Sequence, residues 1–331
     1  MPDSASFDPR LAALGLTGPV VMAPMAGITD RPFRDLVGRF GAGLMVSEMV
    51  ASREMVEAKP SVRTRAELGL GQGTAVQIAG RDPVWMARAA SMLADRGARL
   101  IDINMGCPAK KVTGGLSGSA LLRDHDHALR LIEAVVKAVD VPVTLKTRLG
   151  WDDDTRDTAA LAARAEGAGI RMLTIHGRTR CQFYKGRADW AAIRPIVEAV
   201  TIPVLANGDV VDAATARAAL SASGAAGVMV GRGIRGRPWA CAAIGADLTG
   251  GTPVRAPDGA ALLDLVRGHH DAMLSFYGAE LGGRVARKHL GWYMDHAGTP
   301  PGMRRRVLTA SAGGVAPLLA DALAARLRVA A

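Results

Sequence analysis

Residues 100–108 read Leu-Ile-Asp-Ile-Asn-Met-Gly-Cys-Pro: a short, largely β-branched run that stops at Asn104, a glycine suited to a tight turn, and a cysteine on the loop beyond. A strand that is apolar along its length and polar at its last residue suits a parallel sheet whose C-terminal ends carry chemistry. The same grammar recurs in both directions along the chain. It predicts strands at Val20–Ala23, Leu44–Ser47, Ala75–Ala79, Leu100–Asn104, Val143–Lys146, Met172–His176, Val204–Asn207 and Gly227–Gly231. At or near their C-terminal ends stand Pro24, Glu48, Gln77, Asn104, Lys146, His176, Asn207 and Gly231. Amphipathic runs between them predict helices at Pro83–Arg96, His127–Ala138, Trp190–Ala199 and Ala213–Leu220, with Asp82, Asp189 and Asp212 at capping positions. Eight β-α units point to an α/β fold, a (β/α)8 TIM barrel. A doubly wound sheet would gather its chemistry at one switch point rather than on nearly every strand end.

A barrel takes roughly 250 residues, and the chain has 331. Past Trp239 the pattern changes. Thr249–Ala256 reads as a linker, and Gly259–Tyr277, Arg284–His296 and Val315–Val329 show helical spacing with no strands between them. The expected division is a barrel over 1–248 and a small C-terminal all-α domain over 249–331. Aromatics are only 4% of the chain, so Ala, Val, Leu and Met must fill the core. The formal charge of +10 suits a polyanionic partner, although an Arg-favouring composition would give the same excess. Three cysteines, Cys107, Cys181 and Cys241, are too far apart for a disulfide framework or a zinc motif. No metal is expected, and the pattern suits a reducing cytosol. Met1–Arg10 is acidic and polar, unlike a signal peptide. No apolar run approaches the roughly 20 residues of a membrane span. A cytoplasmic monomer without a membrane partner is the expectation.

Cys107 is the candidate reacting group. An ordinary thiol has a pKa near 8.5 and stays protonated at about pH 7, so it can donate a proton or, once ionised, attack. The alternative is a small buried thiol with no chemistry. Lys110 and Lys111 follow closely. Gly177–Arg187 carries the cations Arg178, Arg180, Lys185 and Arg187 together with Phe183 and Tyr184. Cations hold phosphates and aromatic faces stack unpaired bases, which makes this loop the leading RNA-contact candidate. Asp152-Asp153-Asp154 lacks metal-ligand spacing and reads as a solvated helix entrance. His269 and His270 read as surface residues of a helix, and Arg304-Arg305-Arg306 as either solvated or RNA-binding.

Asn104-Met-Gly-Cys-Pro-Ala-Lys-Lys-Val112, with Ala23-Pro-Met-Ala-Gly-Ile-Thr-Asp30, resembles the tRNA-dihydrouridine synthases, and within them the bacterial B subfamily. Val46–Met49, Val76–Gly80, Thr144–Lys146, Thr174–Thr179, Ala206–Asp209, Gly231-Arg232 and Arg287–His289 extend the match in order over nearly the whole chain. The loop after Val112, Thr-Gly-Gly-Leu-Ser-Gly, departs from the basic residues many relatives carry there. The resemblance implies an FMN enzyme that uses NADPH to reduce uridine in the tRNA D-loop. It implies hydride delivery to uracil C6 and protonation of C5 by Cys107. Pro24, Met25, Ala26, Gln77, Lys146, His176, Asn207, Gly208, Asp209, Gly231 and Arg232 are the implied FMN residues. Asn104 would orient the uracil, and Arg178, Arg180, Lys185, Arg187 and the helical domain would grip tRNA. Two rivals stay open: a flavin barrel acting on a small free pyrimidine, and an RNA-binding regulator that keeps only the fold.

Overall fold

The computed structural model describes residues 7–59, 64–69 and 74–327, with side chains described up to 324. The polar stretch at 1–6 and the expected helix residues 328–329 therefore lie outside the described residues.

Nine parallel strands form the sheet: β1 (Val20–Met22), β2 (Leu44–Val46), β3 (Val50–Ala51), β4 (Thr74–Ala79), β5 (Leu100–Asn104), β6 (Val143–Arg148), β7 (Met172–His176), β8 (Val204–Asn207) and β9 (Gly227–Val230). The ring closes because β1 pairs with both β2 and β9, Val21 opposite Leu44 and Met229. β2 pairs with β4 at its start and β3 with β4 at its end, so these two short pieces serve as one barrel strand. The barrel thus has eight staves, as expected. The break between β2 and β3 falls at Ser47-Glu48-Met49. There the Ser47 hydroxyl accepts the Gln77 N–H at 3.1 Å in place of a ladder partner.

Helices return the chain between strands, and their starts are set by aspartates. Asp82 accepts from Val84 and Trp85 N–H, and Asp212 forms a capping box with Thr215. Asp189 accepts from Ala192 at a short 3-10 turn, where a single helix over 190–199 was expected. The packing of helices on strands buries Val20, Met22, Ile101, Ile103, Leu145 and Ile175 on the outer face of the barrel.

Four helices follow Gly251: Gly259–Tyr277, Ala279–Ala297, Pro301–Thr309 and Ala312–Leu327. Their own core holds Leu262, Val266, Met273, Leu290, Met294, Leu319 and Leu323. The third of them, which carries Arg304–Arg306, was not expected. His269 and His270 correct the surface reading: both are buried, on the face that also buries Leu262, Val266 and Met273. That spacing of four, three and four residues was a visible helical stripe. The His269 ring meets Phe33 and His289, and its Nδ1 lies 3.0 Å from the Tyr293 hydroxyl. Burial pushes the His269 imidazole down to about 3, so it packs as a neutral ring. Among the described residues, no helix is long and apolar enough to cross a membrane.

Candidate functional site

Alternation along each strand sends every second side chain into the barrel. Near the N-terminal ends these are apolar: Val21, Leu44, Ala75, Leu100, Met172, Leu205 and Met229. Toward the C-terminal ends the interior turns polar. Asp102 accepts from Gln77 Nε2 and from Thr144 Oγ1, each at 2.7 Å. Gln77 Oε1 in turn accepts from Asn104 Nδ2 at 2.7 Å. Asn104 Oδ1 accepts from the backbone N–H of Cys107 at 2.9 Å and of Gly106 at 3.2 Å. A continuous chain of hydrogen bonds therefore runs from the middle of the barrel to the cysteine loop. Burial pushes the Asp102 carboxyl up, while its two donors and nearby Lys146 oppose the shift. Asp102 and Thr144 were not singled out in the sequence, being polar residues hidden inside apolar runs.

Cys107 is half-buried at the barrel mouth. Its carbonyl accepts from Ser119 N–H and Oγ, at 3.1 and 2.9 Å. Arg148, also unanticipated, is 2% exposed and donates to the carbonyls of Gly106, Thr179 and Phe183 at 2.7–3.0 Å. It ties the cysteine loop to the loop over 177–187 without using a carboxylate. Burial pushes this guanidinium down to about 10.

Lys146 Nζ donates to Asn207 Oδ1 at 3.2 Å, and Asn207 Nδ2 donates to the Met229 carbonyl at 2.8 Å. Burial pushes the Lys146 ammonium down to about 8, with Arg148 adding repulsion and Asp102 opposing it. His176 is driven well below its ordinary value, first by burial and then by Lys146, Arg148, Arg178 and Arg232. Arg178 Nη1 lies 3.2 Å from His176 Nε2. A guanidinium can only donate, so Nε2 accepts and the proton of the neutral ring sits on Nδ1.

Arg178 departs from the expectation of an RNA-facing residue. It is 1% exposed and turned inward, donating to Asp209 Oδ2 at 2.6 Å and to the carbonyls of Lys185 and Gly186. A tight turn, with Arg178 N–H donating to the His176 carbonyl at 2.7 Å, reverses its direction. The Asp209 carboxylate also accepts from Ala188 N–H and Arg232 Nη2, at 2.8 and 3.2 Å. Burial would raise its pKa, but these donors hold it below the ordinary value. Asp209 has φ +54 and Gly208 φ +114. A Cβ on Gly208 would fall 2.9 Å from His176 Cδ2, so only glycine lets the β8 loop close on that ring.

The remaining expected residues sit around this mouth. Pro24 and Met25 are half-buried and Ala26 is exposed at the end of β1. Gly231 follows β9 beside Met25, whose sulfur would lie 3.7 Å from a Cβ there. Arg232 is half exposed and faces the Tyr184 ring at 5.7 Å. Arg180 is half-buried against Trp151 at 4.6 Å, whereas Lys185 and Arg187 are exposed. Cys181 is exposed, and Cys241 is buried with its thiol pushed up to about 12.

The mouth thus combines a cationic floor, amide groups in fixed orientation and one accessible thiol. The profile of the Dihydrouridine synthase (Dus) family matches residues 21–313. A probable tRNA-dihydrouridine synthase of Rhodobacter capsulatus is 63% identical over 292 residues, covering 88% of this chain and 90% of its own length. A tRNA-dihydrouridine synthase B of Xanthomonas campestris pv. campestris is 48% identical over 279 residues, 84% of each chain. Among solved structures, a histamine dehydrogenase from Rhizobium sp. 4-9 matches with a TM-score of 0.55 at 12% identity, over 78% of this chain and 49% of that one. That likeness is one of fold.

Proposed function

The chain belongs to the dihydrouridine synthase family, and we propose that it reduces the C5=C6 bond of uridines in the tRNA D-loop to 5,6-dihydrouridine. FMN is the proposed flavin, NADPH the electron donor and the cytoplasm the setting, with the protein acting as a monomer. The observation that carries this reading is the mouth itself: Lys146 faces Asn207, Arg178 lies 3.2 Å from His176, and Arg148 ties the loop of the half-buried Cys107 to the loop over 177–187.

The donor set fits an anionic, planar cofactor. Among the described residues, Lys146 offers an ammonium with no carboxylate in hydrogen-bond contact, and it donates to the Asn207 amide oxygen. Gln77 and Asn207 present fixed amides, and Pro24, Met25 and Ala26 form a small-residue shelf. The backbone of Gly208, Asp209 and Gly231, with the Arg232 guanidinium, would receive the phosphate, since barrels bind phosphate after their last two strands. The Asp209 carboxylate is occupied by Arg178 and Arg232, so it orients these cations and leaves its N–H for the anion. When bound, the flavin supplies the electron pair that saturates the C5=C6 bond.

Cys107 then delivers the proton to C5, and Arg148 and Asn104 hold its loop in place. Asn104 has one amide N–H left for the uracil edge after serving Gln77 and the cysteine loop. The uridine must leave its stack to reach this depth, at a cost of a few kcal/mol offset by contacts elsewhere. Lys185, Arg187, Arg180 and the helices beyond residue 249 are the proposed tRNA contacts. The decisive experiment incubates the protein with FMN, NADPH and tRNA lacking dihydrouridine, and maps the product by mass. Dihydrouridine in the D-loop is expected. Reduction of free uridine with tRNA left untouched would overturn the reading in favour of a small-pyrimidine reductase.

A further inference from the structure

Outside the barrel mouth, a cavity of about 800 Å³ opens on the far side of the cysteine loop. That is within the range of small-molecule sites, roughly 300–1,000 Å³. Its walls are the short helix Lys110–Thr113, the 3-10 turn Gly118–Arg123 and Trp151 from the loop after β6. It shares a wall with the reacting loop: a Cβ on Gly118 would fall 2.9 Å from the Cys107 carbonyl oxygen. The opening therefore lies beside the loop that presents Cys107.

The lining chemistry is that of a nucleotide site. Arg81, Lys110 and Arg123 line the cavity and are exposed, and among the described residues no carboxylate lies within ion-pair distance of any of them. Arg217 and Arg164, also exposed, are paired with Asp247 and Asp126. Two carboxylates do line the cavity, and both are engaged as helix caps. Asp82 accepts from Val84 and Trp85 N–H, and Asp124 from His127 N–H. Trp151 forms an indole wall, with the Arg123 guanidinium 5.0 Å and the Arg180 guanidinium 4.6 Å from its ring centre. Cations without a carboxylate partner hold phosphates, and guanidinium–indole stacks accept a base face.

We propose that this cavity receives a nucleotide adjacent to the target uridine, with its phosphate held by Arg81, Lys110 and Arg123 and its base against the Trp151 stack. This rests on the reading that the substrate is RNA. It adds a subsite on the cysteine side of the mouth, away from Lys185 and Arg187.

The test measures tRNA affinity against salt for wild type, Arg81→Ala/Arg123→Ala, Arg81→Lys/Arg123→Lys and, as a control, Arg217→Ala. Each lost phosphate contact lowers the slope of log K on log salt by about 0.7 to 0.9, so the double alanine variant should lose about 1.5. The lysine pair should keep the slope, since a point charge still displaces a counterion, and Arg217→Ala should match wild type. Trp151→Phe should keep affinity, while Trp151→Ala should weaken it at least fivefold, the loss of one stacked base. Bound flavin and NADPH oxidation with a small acceptor should be unchanged in all of them, which separates the subsite from misfolding. A double alanine variant with wild-type slope and affinity overturns the subsite. A wild-type protein that leaves tRNA unmodified overturns the underlying reading instead.

Discussion

The Lys288 ammonium donates to the carbonyl oxygen of Gly27, joining the second C-terminal helix to the loop after β1 across 261 residues of chain. The Gly27 N–H is held from the other side by the buried Glu48 carboxylate. At the end of the preceding helix, the Tyr277 hydroxyl donates to Asp30 Oδ2 at 3.0 Å. The shelf at Pro24–Ala26 is thus braced by the helices rather than by the barrel alone. Lys288→Met should raise the Kd for FMN roughly tenfold, in keeping with a charge-assisted hydrogen bond of about 1.5–3 kcal/mol partly replaced by water. Lys288→Arg should recover part of it. Fluorescence titration of the flavin-free protein reads this directly, and an unchanged Kd would show that Glu48 suffices.

Cys107→Ala should bind FMN and accept electrons from NADPH as wild type does, because the thiol acts on the uracil alone. Dihydrouridine formation should fall by about 10²–10⁴, the usual loss for a positioned acid. Full turnover on tRNA in this variant would remove Cys107 from the mechanism.

Lys146 gives the site a pH dependence with a definite sign. Its ammonium is pushed down to about 8, so raising the pH through 8 removes the cation that faces the cofactor. Retention of reduced FMN should weaken between pH 7 and 9, and Lys146→Met should be weaker at pH 7 and flat across that range. In the flavin-free protein the linkage runs the other way. The buried ammonium costs stability at low pH, and this cost is relieved as pH rises from about 8 toward the ordinary 10.5. Identical pH profiles for wild type and variant would exclude the lysine.

Arg178→Ala should act on stability rather than on RNA. The guanidinium is buried against Asp209, and stripping one partner from a buried pair costs about 3–5 kcal/mol, less here because Asp209 is 30% exposed. A loss of about 2–3 kcal/mol in denaturant unfolding is expected, with the salt slope of tRNA binding unchanged. A lowered slope at unchanged stability would return Arg178 to the RNA surface.

The barrel was legible because parallel strands covered on both faces must be apolar nearly throughout, so their polar last residues stand out. Asn104, His176 and Asn207 end β5, β7 and β8 in this way, whereas Lys146 lies two residues before the end of β6, which runs on to Arg148. Asp102 and Thr144 follow the same inward parity but lie mid-strand, where a polar residue gives no sign of its hydrogen-bond partners. Arg148, at the end of β6, and Arg178, in a loop, defeat the rule that cations at strand ends face water, because each finds backbone carbonyls that only the folded loops bring together. Lys288 was visible only as part of a motif, since its partner is 261 residues away. The histidines on the helix Gly259–Tyr277 were misplaced although their spacing with Leu262, Val266 and Met273 was available; a titratable ring was read as polar when it packs as a hydrophobe.

The order in which the chain leaves the ribosome gives the Lys288–Gly27 contact a further meaning. The loop after β1 is made well before its partners: β1 gains its β9 neighbour only at residues 228–230 and Gly27 its brace only at 288. At translation speeds of about 5–20 residues per second, the shelf waits many seconds for its support. Nascent chains stalled before residue 288 should therefore hold little flavin, and premature termination would yield proteins that are poor in cofactor even when all eight staves are present. Cofactor capture becomes a check on whether synthesis has passed residue 288.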